Sequence, residues 1–367
     1  MKSNIVSIGT AVPEYKIEQL EVAELMTQIL PLKENEKEKL LGLYKSSGIK
    51  FRHSVIKDFS LSPREFEFFP FEAMHPFPGT RERMDLYKQK ALPLAISAVE
   101  DCFSRTNIDK KEVTHVIVIS CTGIYAPGID IELIEKLGLK TSTQRTGVNF
   151  MGCYAAFNGM KVADNICRAN PDARVLMVSL ELCTIHFNPH TDIENILVNT
   201  LFSDGAAAIL MQAEQTKGLS FQVEKFYCDL APESKKEMTW DIDNHGFDMK
   251  LSPEVPYIIR QGIEKLCLNL LQSDEFDQSH IDMYAIHPGG KKILEVIEEK
   301  LKIPQEKNWA AYQVLENYGN MSSPTILFVL KAILDSLKAQ DDEKTILSFA
   351  FGPGLTLESM LLKVHNS

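Results

Sequence analysis

The chain has 367 residues, 44% hydrophobic and 24% charged, with a formal net charge of −11. The length predicts about two domains or one large fused core, and the composition excludes a disordered or fibrous chain. The acidic balance excludes indiscriminate binding to nucleic acid or an anionic membrane, so an anionic ligand needs a local basic patch.

In chain order, Ile5-Val6-Ser7-Ile8 reads as a strand, too short an apolar run for a signal peptide. No later window reaches the length of a membrane span. A turn at 9–13 leads into helical patterns over 17–30 and 34–44. Residues 59–78 carry six phenylalanines and four prolines, which forbid a regular helix. Two readings stand for this stretch: an anchored surface excursion, or a lid or tunnel mouth for a greasy substrate. A long helix over 81–105 follows, interrupted or bent at Pro93. The β-branched run 113–120 reads as a central strand covered on both faces, ended by Cys121-Thr122-Gly123.

Helix Ile129–Leu137 comes next, and then a short strand running into Met151-Gly152. Cys153 follows, at the start of a helical pattern over 154–169, where strand turns sharply into helix. Such a position favours thiolate over thiol through the dipole of the helix N-terminus, although a free cysteine is also often a small buried hydrophobe. A strand at 173–179, a connection through 181–187 and a strand at 206–211 complete this half. The other cysteines lie scattered without a CxxC pair, which argues against disulfides or zinc and fits a reducing, cytoplasmic setting.

From about residue 219 the order of elements repeats. A helix over 256–271 precedes a strand at 280–286, which ends at His287-Pro288-Gly289-Gly290 and feeds helix Lys291–Leu301. Cys121 to Cys153 spans 32 residues and His287 to Asn320 spans 33, and both intervals end at the start of an amphipathic helix. By this count Cys153 and Asn320 are equivalent positions in two α/β halves related by a pseudo-twofold axis, 1–215 and 216–367. Ligands gather at strand carboxyl ends in such sheets, which brings Cys153, His287 and Asn320 into one expected pocket. Singly, His287 is as readily a core histidine and Asn320 a helix cap. Together they suit acyl transfer from a thioester: a thiolate to attack, an imidazole to support it as ion-pair partner or base, and two donors for an oxyanion or enolate.

The chain resembles the type III polyketide synthases, the chalcone synthase-like branch of the thiolase-fold condensing enzymes. The likeness rests on Gly152-Cys153, Leu201-Phe202-Ser203-Asp204-Gly205, Ile286-His287-Pro288-Gly289-Gly290, Tyr318-Gly319-Asn320-Met321-Ser322-Ser323 and Phe351-Gly352-Pro353-Gly354-Leu355. It implies the layered αβαβα thiolase fold and a homodimer, with acyl-CoA and malonyl-CoA as substrates and no further cofactor. It further implies that Cys153 is acylated by the starter and that His287 and Asn320 orient and decarboxylate malonyl-CoA. Phe202 matches the gatekeeping phenylalanine. Cys121, Thr122, Cys183, His186, Met249 and Ser322 fall at substrate-facing positions, and Lys45, Arg52, Gly289 and Lys292 are the expected coenzyme A contacts.

Met249 stands at a second cavity position where the family has phenylalanine. The Cys121-Thr122-Gly123 and Glu181-Leu182-Cys183 strings resemble the bacterial alkylpyrone and alkylresorcinol makers, which implies a medium or long fatty acyl starter. The competing readings are a single-condensation ketoacyl synthase, a Cys/His/Asn thioester hydrolase and a non-catalytic binding protein of the same fold.

Overall fold

The computed structural model describes residues 2–70, 77–214, 217–272 and 278–366. The first elements are β1 (Asn4–Ala11), β2 (Tyr15–Glu18), α1 (Gln19–Ile29), α2 (Glu34–Ser46), β3 (Phe51–Ser54), α3 (Thr80–Ser104) and β4 (His115–Ser120). Next come α4 (Ile129–Leu137), β5 (Gln144–Asn149), α5 (Ala155–Ala169), β6 (Arg174–Leu182), α6 (Ile193–Leu201) and β7 (Asp204–Gln212). They continue as β8 (Leu219–Leu230), β9 (Met238–Asp243), β10 (Gly246–Leu251), α7 (Val255–Leu271), β11 (Met283–Ile286) and α8 (Lys291–Leu301). The last are α9 (Trp309–Tyr318), α10 (Thr325–Ser336), β12 (Thr345–Gly352) and β13 (Thr356–Asn366).

Among the described residues nine strands join in the order β11-β12-β13-β8-β1-β7-β6-β4-β5. The sheet has a seam where β1 meets β8 antiparallel, with Ile5 opposite Phe221. Outward from that seam the two arms follow one plan, β1-β7-β6-β4 and β8-β13-β12-β11. In each arm two antiparallel pairings are followed by one parallel pairing. This is the topology of a duplicated unit, with β5 an added edge strand on one arm.

Both faces of each arm are covered, as period-two alternation with apolar residues on either side requires. Along β4, Val116 and Val118 face the core built with α1, α3 and α4. Ile117 and Ile119 face the core shared with α5 and α10, to which the other arm contributes Ile346, Ala350, Met360 and Leu362. The outer face of that second arm, through Leu347, Phe349 and Leu361, packs on α7 and α8. The order is therefore αβαβα, with α5 and α10 in the middle layer and Cys153 at the head of α5.

Some local expectations change. Helix α3 runs unbroken through Pro93; Ala91, Leu94, Ala95, Ala98 and Val99 are buried along it. Their burial outweighs the cost of about 3 kcal/mol for a proline inside a helix. Residues 15–18 pair with β3 instead of opening α1. The 280–286 strand shortens to β11 because Gln278–His280 forms a 3-10 turn.

The phenylalanine-rich stretch, described apart from 71–76, is anchored to the body, which both readings allow. Buried Asp58 accepts backbone N–H bonds from Glu67, Phe68 and Phe69 at 2.9, 3.0 and 2.8 Å. Phe59 and Phe69 pack edge-on against Phe187. The hairpin β9–β10 has no counterpart in the sequence reading.

Candidate active site

Cys153 lies in a single 3-10 turn, Gly152–Tyr154, that leads into α5. The approach is tightly set: Phe150 and Gly152 take φ of 57° and 73°, and a Cβ on Gly152 would stand 2.4 Å from Pro353 Cδ. Only glycine fits there, so Gly152 and the Gly352-Pro353 turn of the other half hold the thiol in place. The expected depression of the thiol pKa by the helix end is overturned at rest. Burial pushes the Cys153 thiol up to about 11, while the side chains of Ser322 and Asn320 pull it partly back.

His287 follows β11 directly and its N–H donates to Phe349 O at 2.8 Å. The ring is buried with neither nitrogen hydrogen-bonded, and burial holds its pKa down at about 3. Burial therefore disfavours the charged form of either group alone. Proton transfer between them would create two charges that offset one another, a smaller cost than burying either alone.

Asn320 Nδ2 donates to Gly289 O at 3.2 Å, and its Oδ1 accepts from Ser322 N at 2.8 Å. Ser322 takes φ of 58°, a strained backbone for a residue other than glycine.

The three expected residues come together. Cys153, His287 and Asn320 line one cavity with Phe202, Met249, Gly289 and Phe351. A larger cavity shares Cys153, Phe202 and Met249 with it. The larger one adds Cys121, Thr122, Cys183, His186 and Ser322, and reaches Ile17, Val22 and Phe59 of the outer layer. Phe202 and Met249 thus stand between the two spaces.

His186 lines the larger cavity with both nitrogens engaged. Phe247 N–H donates to Nδ1 at 2.9 Å, so Nε2 carries the proton and donates to Thr122 O at 2.6 Å. Its ring stacks on Phe247 at 4.4 Å. It therefore fastens the β9–β10 hairpin, which supplies Trp240, Phe247 and Met249, to the loop after β4. Trp240 Nε1 makes a second fastening to Cys121 O at 2.7 Å.

Behind Cys153 sits Glu181, fully buried, which the sequence reading gave no site role. Its carboxylate accepts from Cys121 N (2.9 Å), Thr122 N (3.0 Å), Thr122 Oγ1 (2.7 Å) and Ser323 Oγ (2.9 Å). Burial nevertheless raises its pKa to about 7. The visible signal was an acid inside the apolar run of β6. Cys121 Sγ accepts from Gly152 N at 3.2 Å, which ties this network to the turn that carries Cys153.

The basic residues divide. Lys45 and Lys292 are exposed, and Lys292 lies 3.6 Å from Glu295. Gly48, just past α2, abuts the Lys291 side chain, so the end of α2 and the start of α8 share one rim. Arg52 departs from expectation. It is buried, and its Nη1 donates to Asn199 O and Phe202 O, which takes the guanidinium away from any phosphate at the surface.

Among the described residues the one possible metal-ligand group, Asp342, Glu343 and His365, lines neither cavity. No helix of the described residues is long and apolar enough to cross a membrane.

Comparison with known proteins agrees with this architecture. Residues 1–215 match the family model described as chalcone and stilbene synthases, N-terminal domain, and 222–365 match its C-terminal counterpart. The alpha-pyrone synthesis polyketide synthase-like Pks18 of Mycobacterium tuberculosis is 30% identical over 98% of this chain and 91% of its own. Type III polyketide synthase A of Arabidopsis thaliana is 29% identical over 99% and 93%. The type III polyketide synthase domain of Steely1 from Dictyostelium superposes with a TM-score of 0.89 at 28% identity, covering 99% of both chains. With both domain models matched, the chain belongs to the chalcone and stilbene synthase family, the type III polyketide synthases.

Proposed function

We propose that Cys153 is the acyl acceptor of this polyketide synthase and that His287 and Asn320 are the decarboxylating pair. The observation that carries this reading is the shared cavity, which gathers a thiol, an imidazole with two free nitrogens and a carboxamide. The Cys153 proton passes to His287 as the thiolate attacks the starter thioester, and coenzyme A leaves as its thiolate. Malonyl-CoA then enters beside His287 and Asn320. Its C–CO2 bond breaks, and the electron pair moves onto the thioester oxygen as an enolate that the two side chains stabilise by hydrogen bonds. The enolate carbon attacks the Cys153 thioester and expels the Cys153 thiolate, which leaves the extended chain on coenzyme A; transfer back to Cys153 opens the next round, and ring closure to a pyrone, resorcinol or phloroglucinol releases the product. Coenzyme A thioesters are the substrates throughout.

The starter is a medium or long fatty acyl group. Support comes from the larger cavity, which continues past Cys183 and Met249 into the outer layer. Lys45 and Lys292 serve the coenzyme A phosphates from the rim that joins α2 and α8. The two halves divide at 215/216, and the protein works in the cytoplasm as a homodimer. Edge strand β5 is paired on one side only among the described residues and is largely exposed, so it offers an edge for a second copy.

The test supplies malonyl-CoA with a panel of starter-CoA esters and no carrier protein, with products read by mass. Chain-extended cyclic products from fatty acyl starters, lost in Cys153→Ala, are expected. Free acid alone would show a hydrolase, and a requirement for carrier protein with one condensation would show a ketoacyl synthase.

A further inference from the structure

We propose that Arg52 is a positioning residue for the decarboxylating step, acting through segment 201–203 on Phe202 and Asn320 together. The inference rests on the roles assigned to those two residues above. Arg52 comes from β3 and is buried. Its Nη1 donates to Asn199 O at 2.6 Å and to Phe202 O at 3.0 Å. Both acceptors lie at the C-terminal end of α6, where carbonyls lack intrahelical partners and the helix dipole is negative. The buried cation is thus compensated by a helix end, with Asp204 adding a further attraction.

The same side chain packs beside Gly319, the residue before Asn320. A Cβ on Gly319 would stand 3.3 Å from Arg52 Cγ and 3.0 Å from Leu201 O, so stem, glycine and α6 end are in contact. Asn320 N donates to Leu201 O and Ser203 N donates to Asn320 O, both at 2.9 Å. Ser203 Oγ accepts from His53 N at 2.8 Å and donates to His53 O at 2.9 Å, which zips the segment to β3 a second time. If 201–203 shifts, the Phe202 ring and the Asn320 carboxamide shift with it. Cys153 is held differently, by the Gly152 turn against Pro353. Loss of Arg52 should therefore separate the two half-reactions instead of weakening both.

The experiment measures them apart in Arg52→Met, Arg52→Lys, Ser203→Ala and Asn320→Ala. Malonyl-CoA decarboxylation is followed without starter, and Cys153 acylation by dodecanoyl-CoA is followed as a mass increment on the intact protein. In Arg52→Met the decarboxylation kcat should fall roughly 10- to 100-fold, the size of loss a misplacement near 1 Å brings, with acylation within about threefold of wild type. Ser203→Ala should show the same selectivity more weakly. Arg52→Lys should recover most of the loss, because one ammonium can donate to both carbonyls.

A raised KM for both thioesters with kcat intact would make Arg52 a phosphate contact and overturn the proposal. So would a parallel fall of both half-reactions with the melting temperature, or no change in either. If Arg52→Met does not fold, Ser203→Ala decides: loss of decarboxylation with acylation kept supports the clip, and any other pattern overturns it. Wild-type decarboxylation in Asn320→Ala would instead remove the role of Asn320 itself. A dead Asn320→Ala beside a non-selective Arg52→Met would remove only the role of Arg52.

Discussion

Phe202 and Asn320, from opposite halves of the chain, are joined by a parallel bridge. The residue expected to act as gate and the proposed enolate donor are therefore one mechanical unit, and the close approach depends on Gly319, which takes φ 66° and ψ −157°. Gly319→Ala forces a Cβ to 3.0 Å from Leu201 O in a backbone region that other residues avoid. The strain costs about 1–3 kcal/mol. We expect lower stability in denaturant unfolding and a loss of malonyl-CoA decarboxylation of at least roughly tenfold. A Gly319→Ala protein with wild-type decarboxylation would show that the bridge does not set the donor.

The burial of Cys153 and His287 has a kinetic consequence. Burial opposes a lone thiolate, so the proposed mechanism makes the reactive form at neutral pH depend on the imidazole receiving the proton. In His287→Gln that route is closed while the shape of the site is kept. Alkylation of Cys153 by iodoacetamide at pH 7 should slow by about tenfold or more, and its rate should keep climbing with pH toward the buried thiol's own range. Equal rates in the two proteins would mean that the thiol is activated without His287.

The duplication was legible because it is written in order and spacing: Ile129–Leu137 and Lys291–Leu301 have the bounds their apolar periodicity predicts. What periodicity hides is partnership. Arg52 reads as a coenzyme A contact in the sequence, and only the fold shows the end of α6 lying over it. The β9–β10 hairpin escaped because its glycine, Gly246 at φ 106°, follows the turn residues Asn244-His245 instead of lying between them, and because its wall-forming aromatics belong to no large sheet. Glu181 escaped for a third reason: a buried acid makes sense only once its donors, which come from β4, its loop and Ser323, are in place.

Glu181 makes stability depend on pH. Its folded pKa is about 7, above the ordinary 4.5, so between those values the native protein binds more protons than the unfolded chain. Stability from this group therefore falls as pH rises from about 4.5 to 7, by about 3 kcal/mol in all. Glu181→Gln keeps an acceptor for Cys121 N and Thr122 N and removes the titration. Denaturant midpoints of the two proteins at pH 5 and pH 8 should show the variant gaining on wild type as pH rises. Asp204 and the buried histidines are common to both and cancel, so parallel profiles would mean that Glu181 is not the titrating group.

Cys183 lies half-buried on the wall of the larger cavity, which also holds Cys153 and the outer-layer residues Ile17, Val22 and Phe59. If a fatty chain runs through that cavity, a branched side chain at 183 narrows it where several methylenes must pass. Cys183→Leu should then lower kcat/KM for long acyl starters by at least roughly tenfold, since each excluded methylene is worth about 0.8 kcal/mol of burial. Acetyl-CoA or butyryl-CoA, with few methylenes to accommodate, should be turned over within about threefold of wild type. Product mass across the starter panel separates the cases. A uniform loss for every starter would mean that Cys183 supports the fold of the site, and an unchanged panel would mean that the acyl chain takes another route.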